Sequence, residues 1–250
     1  MVELIHAVIL SIVQGISEWF PISSSGHLAI VQEIFGFQNL AYDVFLHFAS
    51  ILAVVFIFRK DIILILKLDK KSLIYIRNLV IALIPAGLIG ILFRNEIEQI
   101  FSNMVFLGVF FIFSGFVIYS SKYSLEKKSK ISFLDSLFIG LFQSLAVFPG
   151  VSRSGMTISS GLFRNLKKET AIKFSFLLAI PLILGASVFE FNNLVLQEIN
   201  YLVLSVSFVL TFLVSFITIK TIIKIIQKEK FYLFGIYNIL LGILILIVSL

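Results

Sequence analysis

Apolar residues run along this chain in long blocks, and short basic clusters separate most of them. A helix that crosses a bilayer needs about 17–25 predominantly apolar residues. Six blocks meet or approach that length: 42–58, 76–93, 104–120, 171–189, 201–219 and 232–249. Two further apolar stretches are interrupted. Residues 2–20 run into Pro21 and the serines at 23–25, and a helical pattern resumes over 24–35. Residues 135–148 run into Pro149, Gly150 and the sequence Ser152-Arg153-Ser154-Gly155, and a helical pattern resumes over 154–163. Each reads as helix, break, short helix. Irregular backbone at membrane depth is tolerated where protein or a watery cavity satisfies its polar groups. The pattern predicts an all-α polytopic membrane protein, one membrane domain over 1–250, with six full transmembrane helices and two re-entrant hairpins.

The basic residues set a topology on these blocks, because cytoplasmic loops are rich in Lys and Arg. Four stretches carry them: 59–77 (Arg59, Lys60, Lys67, Lys70, Lys71, Arg77), 122–130 (Lys122, Lys127, Lys128, Lys130), 164–173 (Arg164, Lys167, Lys168, Lys173) and 220–230 (Lys220, Lys224, Lys228, Lys230). The alternate loops differ: 94–103 sets Arg94 beside Glu96 and Glu98, and 190–200 holds Glu190 and Glu198. Six crossings put all four basic stretches on one side. Of 20 basic residues, Arg94 then lies outside and Arg153 sits in a hairpin. The arrangement requires that neither hairpin crosses. The first hairpin is expected to enter from outside and the second from the cytoplasm, with both termini outside.

Composition narrows the class. The chain is 59% hydrophobic, with 28 Phe and a mean hydropathy of +1.08, more apolar surface than a soluble domain of 250 residues buries. The net charge of +6 reports on membrane topology before it reports on nucleic acid, and no nucleic-acid partner is expected. Cysteine is absent, which removes disulfides and thiolate zinc sites. The opening MVELIHAVIL has no basic n-region or small-residue cleavage site and is read as part of the fold. Nucleotide-binding loops of the GxxxxGK[ST] and GxGxxG types, HExxH and GxSxG are all missing.

A shift of 129 residues superposes the two breaks. Gln14, Ser23, Ser25 and Gly26 fall on Gln143, Ser152, Ser154 and Gly155. The same shift carries 42–58 onto 171–187, 76–93 onto 205–222 and 104–120 onto 233–249. The chain is therefore expected to be an internal repeat, 1–121 and 130–250. Each half holds one hairpin and three crossings. Three is odd, so the second half is inverted relative to the first. Inverted repeats built on broken helices place their site near the bilayer midplane, between the halves.

Polar side chains gather at the breaks. Two short helices begin there, and a helix N-terminus offers free N–H groups and partial positive charge to an anion. The hydroxyls of Ser23, Ser24, Ser152 and Ser154 add donors; the plain alternative is that they only cap helices. Arg153 costs roughly 2.5–3.5 kcal/mol or more at membrane depth and needs an anionic partner. Its planar fork suits phosphate or carboxylate, and an ion pair with Glu18 is the structural alternative. Gln14 and Glu18 share one helix face, where oxygen ligands suit a divalent cation completed by substrate phosphate; Glu18 is equally a candidate general base. His27 is a candidate base or nucleophile. Asp43 and His47 read as interfacial, Asp135 as a helix cap, and Trp19 as an anchor or packing residue. Inverted repeats with opposed hairpins are also a transporter design, so a lipid-phosphate flippase is the competing reading.

The stretches QGISEWFPISSSGH (14–27) and PGVSRSGMT (149–157) resemble the two signature regions of the bacterial undecaprenyl-diphosphate phosphatases, the bacitracin-resistance BacA/UppP family. The resemblance covers the whole chain. It implies a membrane enzyme that hydrolyses undecaprenyl diphosphate to undecaprenyl phosphate and phosphate, recycling the lipid carrier of cell-wall synthesis. It implies a divalent cation, Mg²⁺ or Ca²⁺, at the [E/Q]xxxE pair, here Gln14 and Glu18, so that Glu18 is the only carboxylate of the pair. Glu18, Ser24, His27 and Arg153 are the expected catalytic residues. Ser23, Ser24, Ser152, Arg153, Ser154, Gly155 and Thr157 are the expected phosphate-binding set. The attacking group stays open between Ser24, His27 and a water activated by Glu18. The expected location is the bacterial cytoplasmic membrane, with the site opening to the outer or periplasmic face, and a homodimer is among the expected assemblies.

Overall fold

The computed structural model describes residues 3–36, 39–93, 96, 97, 100, 103–190 and 200–249. Eleven α-helices are set out among them: α1 (Leu4–Ser17), α2 (Ser24–Phe35), α3 (Leu40–Ile57), α4 (Arg59–Ile65), α5 (Lys70–Leu92), α6 (Met104–Ser120), α7 (Phe133–Leu145), α8 (Arg153–Phe163), α9 (Lys168–Glu190), α10 (Tyr201–Gln227) and α11 (Tyr232–Ser249). Arg94, Glu98 and Glu198, which entered the topology argument, lie outside the described residues.

Among the described residues, five helices are long and apolar enough to cross a membrane: α5, α6, α9, α10 and α11; α3 is a shorter apolar helix. Several helices start on a side-chain cap. Asn39, Asp69, Asn103 and Asn200 each accept a backbone N–H at the head of α3, α5, α6 and α10, which satisfies donors that the first turn leaves free. Ser132 and Asp135 form a capping box on α7. The structure departs from the sequence expectation in the basic stretches. Residues 59–65 form α4, α5 begins at Lys70 and α10 runs on to Gln227. Hydropathy ends a span at its first cations, whereas the backbone hydrogen-bond ladder continues through Lys and Arg, which are good helix formers.

Burial is inverted relative to a water-soluble protein. Leu240, Ile247 and Val248 are 62%, 70% and 79% exposed, while Ser11, Gln14 and Asn238 are fully buried. An exterior this apolar suits hydrocarbon, and polar side chains inside a membrane protein face the bundle interior. The chain is thus a multi-pass membrane protein.

Packing interlocks the two sequence halves. α1 lies against α10, and α7 lies against α5, so the first helix of each broken pair packs on a long helix from the other half. α6 and α11 pack backbone to backbone. A Cβ on Gly115 would stand 2.6 Å from the Gly235 carbonyl oxygen, and one on Gly242 would stand 2.5 Å from that of Gly108. Small residues let the two backbones approach where no hydrophobic force drives association. Between these layers the two breaks meet. A Cβ on Gly26 would lie 2.6 Å from the Phe111 ring and 3.3 Å from the Gly150 Cα. Gly150 has φ +89°, a conformation that glycine adopts without steric cost.

Candidate active site

Each break ends where a serine caps the next helix. The Ser23 hydroxyl accepts the Gly26 N–H at 3.3 Å, and the Ser152 hydroxyl accepts the Gly155 N–H at 3.1 Å. Ser23 does so with φ +65°, whereas Ser152 has φ −75°. A serine at positive φ is uncommon and holds its place only where its surroundings fix it. The second break is tied to α6 by the Ser152 N–H donating to Ser114 Oγ at 3.1 Å, and to the first break by Ser154 Oγ donating to the Phe20 carbonyl at 3.3 Å. Ser23, Ser152 and Ser154 therefore hold the two breaks in shape, and Gly155 lets α8 pass within 2.6 Å of Ile118, measured from where its Cβ would stand.

The chemistry converges on Glu18, which closes α1 and is 6% exposed. Arg153 Nη2 donates to Oε1 at 2.7 Å, joining the two halves. Ser24 Oγ donates to Oε2 at 2.6 Å, and Gln14 Nε2 donates to the same oxygen at 3.2 Å. The sequence alone places a fourth group, His47, at the interface, whereas the structure brings it to Glu18. His47, on α3, sets Nε2 3.2 Å from Oε2 of Glu18 and Nδ1 2.8 Å from the Asp43 carbonyl. Both of its ring nitrogens face oxygen acceptors. Asp43 Oδ1 accepts from Gln32 Nε2 at 2.7 Å, a bond inside the protein. The spacing of Asp43 and His47 on one helix face was visible in the sequence, but nothing in it said that this face meets Glu18.

Arg153 is fixed at several points. Nη1 donates to the Ser175 carbonyl at 3.3 Å, and the guanidinium stands 5.4 Å from the Trp19 ring centroid. Trp19 is fully buried and packs edge-on against Phe176, so it is a packing residue. Thr157 Oγ1 donates to the Arg153 carbonyl at 2.9 Å and bonds Ser175 Oγ at 2.6 Å. It braces the first turn of α8.

His27 stands apart from the carboxylate. Its Nδ1 lies 2.8 Å from the Ser23 carbonyl, and its Nε2 lies 2.7 Å from the Tyr237 hydroxyl on α11. Gln14, Glu18, Ser24 and Arg153 thus form one hydrogen-bonded cluster that also takes in His47. His27 belongs to a second cluster with Tyr237.

Gln14 Oε1 is buried without a partner, so Gln14 and Glu18 offer oxygens on one helix face. Among the described residues, no group of three or more His, Cys, Asp or Glu gathers to hold a metal. Hard divalent cations take about 6–8 oxygens for Ca²⁺ and octahedral oxygen shells for Mg²⁺. Gln14 Oε1 and the Glu18 carboxylate would supply such an ion with only part of an oxygen shell.

A carboxylate, a hydroxyl in contact with it and a guanidinium, all at the junction of two helix N-termini, are the parts of a phosphoryl-transfer site. The family described as bacitracin resistance protein BacA matches residues 7–244. The chain belongs to the BacA family. Relatives cover nearly its full length. A protein of Methanobrevibacter smithii named undecaprenyl-diphosphatase is 36% identical, with 97% of this chain and 96% of the relative aligned. One of Shouchella clausii, named undecaprenyl-diphosphatase 1, is 37% identical over 98% and 96%. One of Methanococcus vannielii, named undecaprenyl-diphosphatase, is 38% identical over 96% and 98%. This BacA-family chain is thus similar over nearly its whole length to proteins named for one phosphatase activity.

Proposed function

We propose that this protein hydrolyses undecaprenyl diphosphate to undecaprenyl phosphate and phosphate, so returning a lipid carrier to cell-wall synthesis. The contact that carries this reading is Ser24 Oγ donating to Glu18 Oε2 at 2.6 Å, with Glu18 itself held by Arg153 at 2.7 Å. Nucleophile, base and a third group that orients the base are the signature of an activated hydroxyl. Membership of the BacA family and the names of the relatives supply the substrate.

The mechanism follows from these side chains. Arg153 has five N–H donors; Nη1 and Nη2 each make one of the bonds described, and the rest of the fork is suited to phosphate oxygens. The N-termini of α2 and α8, with their serine caps, add N–H donors and partial positive charge where negative charge develops. Glu18 takes the proton of Ser24, whose oxygen attacks the terminal phosphorus. The bond to the bridging oxygen breaks, and the lipid monophosphate leaves. Water then releases phosphate from Ser24. His27 lies one turn beyond Ser24 on α2 and serves in proton transfer. A Mg²⁺ or Ca²⁺ ion would be held by Glu18 and Gln14 Oε1 and would neutralise charge on the phosphate oxygens.

The proposed setting is a bacterial cytoplasmic membrane, with six crossings, two opposed re-entrant hairpins in inverted repeat, both termini outside and the site reached from the outer face. The distribution of Lys and Arg supports that orientation. The test is phosphate release from undecaprenyl diphosphate by purified protein in detergent, with and without chelator. Detergent has no compartments, so release there demands hydrolysis and excludes transport alone. The wild type is expected to show a burst of covalently held phosphate in the first turnover, and a Ser24→Ala variant to lose it. Full activity in that variant would move the attack to water.

A further inference from the structure

The last helix, α11, grips the first break at two successive residues. Asn238 Nδ2 donates to the Pro21 carbonyl at 2.9 Å, and both groups are buried. Tyr237 bonds His27 Nε2 at 2.7 Å through its hydroxyl, with the two rings stacked at 5.8 Å between centroids and 11° apart. Phe111 closes the imidazole from another side, edge-on at 5.5 Å. Neither Tyr237 nor Asn238 lies in the stretches 14–27 and 149–157.

The partners fix the state of the ring. Ser23 offers a carbonyl, which only accepts, so His27 Nδ1 carries the hydrogen in their 2.8 Å bond. Nε2 of the neutral ring is then an acceptor, and the Tyr237 hydroxyl donates to it. Which hydrogen sits where on an imidazole is set by the bond its other nitrogen makes. A ring bonded at both nitrogens and stacked on one face has little freedom to turn.

We propose that Tyr237 is a positioning residue for the reaction: it fixes the ring and tautomer of His27, and a proton reaches Nε2 through the Tyr237 hydroxyl, which passes its own hydrogen to Nε2 as its oxygen takes one up. It acts through His27, and the proposal rests on the hydrolase reading given above. Its functional consequence is that the second half of the chain supplies the orienting group for a histidine of the first half, as it supplies the arginine for Glu18.

The test uses full-length protein labelled with ¹⁵N-histidine, in detergent, beside the phosphate-release assay. Three histidines make the spectrum assignable by single substitution. In the wild type, His27 is expected to show a protonated Nδ1 and an unprotonated, hydrogen-bonded Nε2. Tyr237→Phe keeps the stacked ring and removes the donor. Its expected signature is a displaced Nε2 signal, an unmoved Nδ1–H, and a kcat lower by about threefold to tenfold, the range one hydrogen bond accounts for, with KM unchanged. Replacing tyrosine throughout by 3-fluorotyrosine, a stronger acid, keeps the contact and is expected to move the same Nε2 signal, so the test survives if Tyr237→Phe folds poorly. The proposal is overturned if Nε2 carries the hydrogen in the wild type, if neither change moves its signal, or if kcat stays at the wild-type value. Should the wild type release no phosphate, the hydrolase reading fails, and the nitrogen signals still report whether Tyr237 holds the ring.

Discussion

The two breaks share a scaffold and divide the chemistry. In both, a serine caps the following helix by accepting the N–H of a glycine three residues on. In both, a buried glutamine stands on the preceding helix, and Oε1 of Gln14 and of Gln143 is without a partner. Beyond that, equivalent positions part company under the 129-residue shift. Glu18 faces Val147 in the alignment, Ser24 faces Arg153, His27 faces Met156 and His47 faces Phe176. The first half carries the carboxylate, the hydroxyl and the imidazoles; the second carries the guanidinium. Neither half alone holds both Glu18 and Arg153. Each also leaves a charge that is costly at membrane depth, so the Glu18–Arg153 bond rewards assembly of the two halves in the register that forms the site.

Breaking that bond has the largest expected effect. Glu18 and Arg153 have side chains 5% and 12% exposed, and removing one partner of a buried pair costs about 3–5 kcal/mol because the other charge is left unmatched. Glu18→Gln and Arg153→Met should each lower thermal stability strongly, and each should reduce phosphate release by roughly 10²–10⁴, the range of a general base or an oxyanion donor. The double variant is expected to regain most of the stability and none of the activity. Stability that falls further in the double variant would show that the two side chains do not act as a pair.

This division explains what was legible in the sequence. The helices were, because a span is a local property: 104–120 became Met104–Ser120, and 232–249 became Tyr232–Ser249. The breaks were legible because Pro, Gly and Ser interrupt an otherwise apolar pattern. Glu18, Ser24 and Arg153 stood out because polar groups are rare in such a chain. His47 and Tyr237 did not. Each sits within a helix of ordinary composition, and its role comes from a contact with residues 29 and 210 positions away in the chain. Such a contact depends on which helix faces meet, and hydropathy leaves that open.

His47 sharpens the comparison, since its equivalent in the second half is the buried Phe176. If the imidazole positions Glu18 by donating from Nε2, a side chain that keeps a donor there should preserve function. His47→Gln is expected to retain phosphate release within about threefold, and His47→Phe to lose about tenfold, in kcat with little change in KM. Equal losses in both variants would make His47 a packing residue only.

The bases of the hairpins differ as well, with smaller consequences. At the first, His6 stacks on Phe35 at 4.3 Å between ring centroids. At the aligned positions of the second, Asp135 accepts from Arg164 Nε at 2.8 Å and from Lys128 Nζ at 2.7 Å. The Asp135 side chain is fully buried, and Asp135→Asn should cost about 1–3 kcal/mol of stability while leaving kcat near wild type.

The smallest effect lies just outside. Burial alone would raise the Glu126 carboxyl, but the Lys168 ammonium at 2.6 Å and the Lys168 N–H at 3.0 Å outweigh it and hold it below its ordinary 4.5. A carboxylate lowered by folding contributes stability that is present above its unfolded pKa and is lost as pH falls through the folded value. Glu126→Gln should therefore cost no more than about 1 kcal/mol at neutral pH, read as a small drop in Tm. The gap from wild type should narrow as the scan descends from pH 4.5. A gap that stays constant into acid would mean that the side chain's packing, and not its charge, secures this end of the second hairpin, and the contrast between an ionic base and an aromatic one would lose its energetic content.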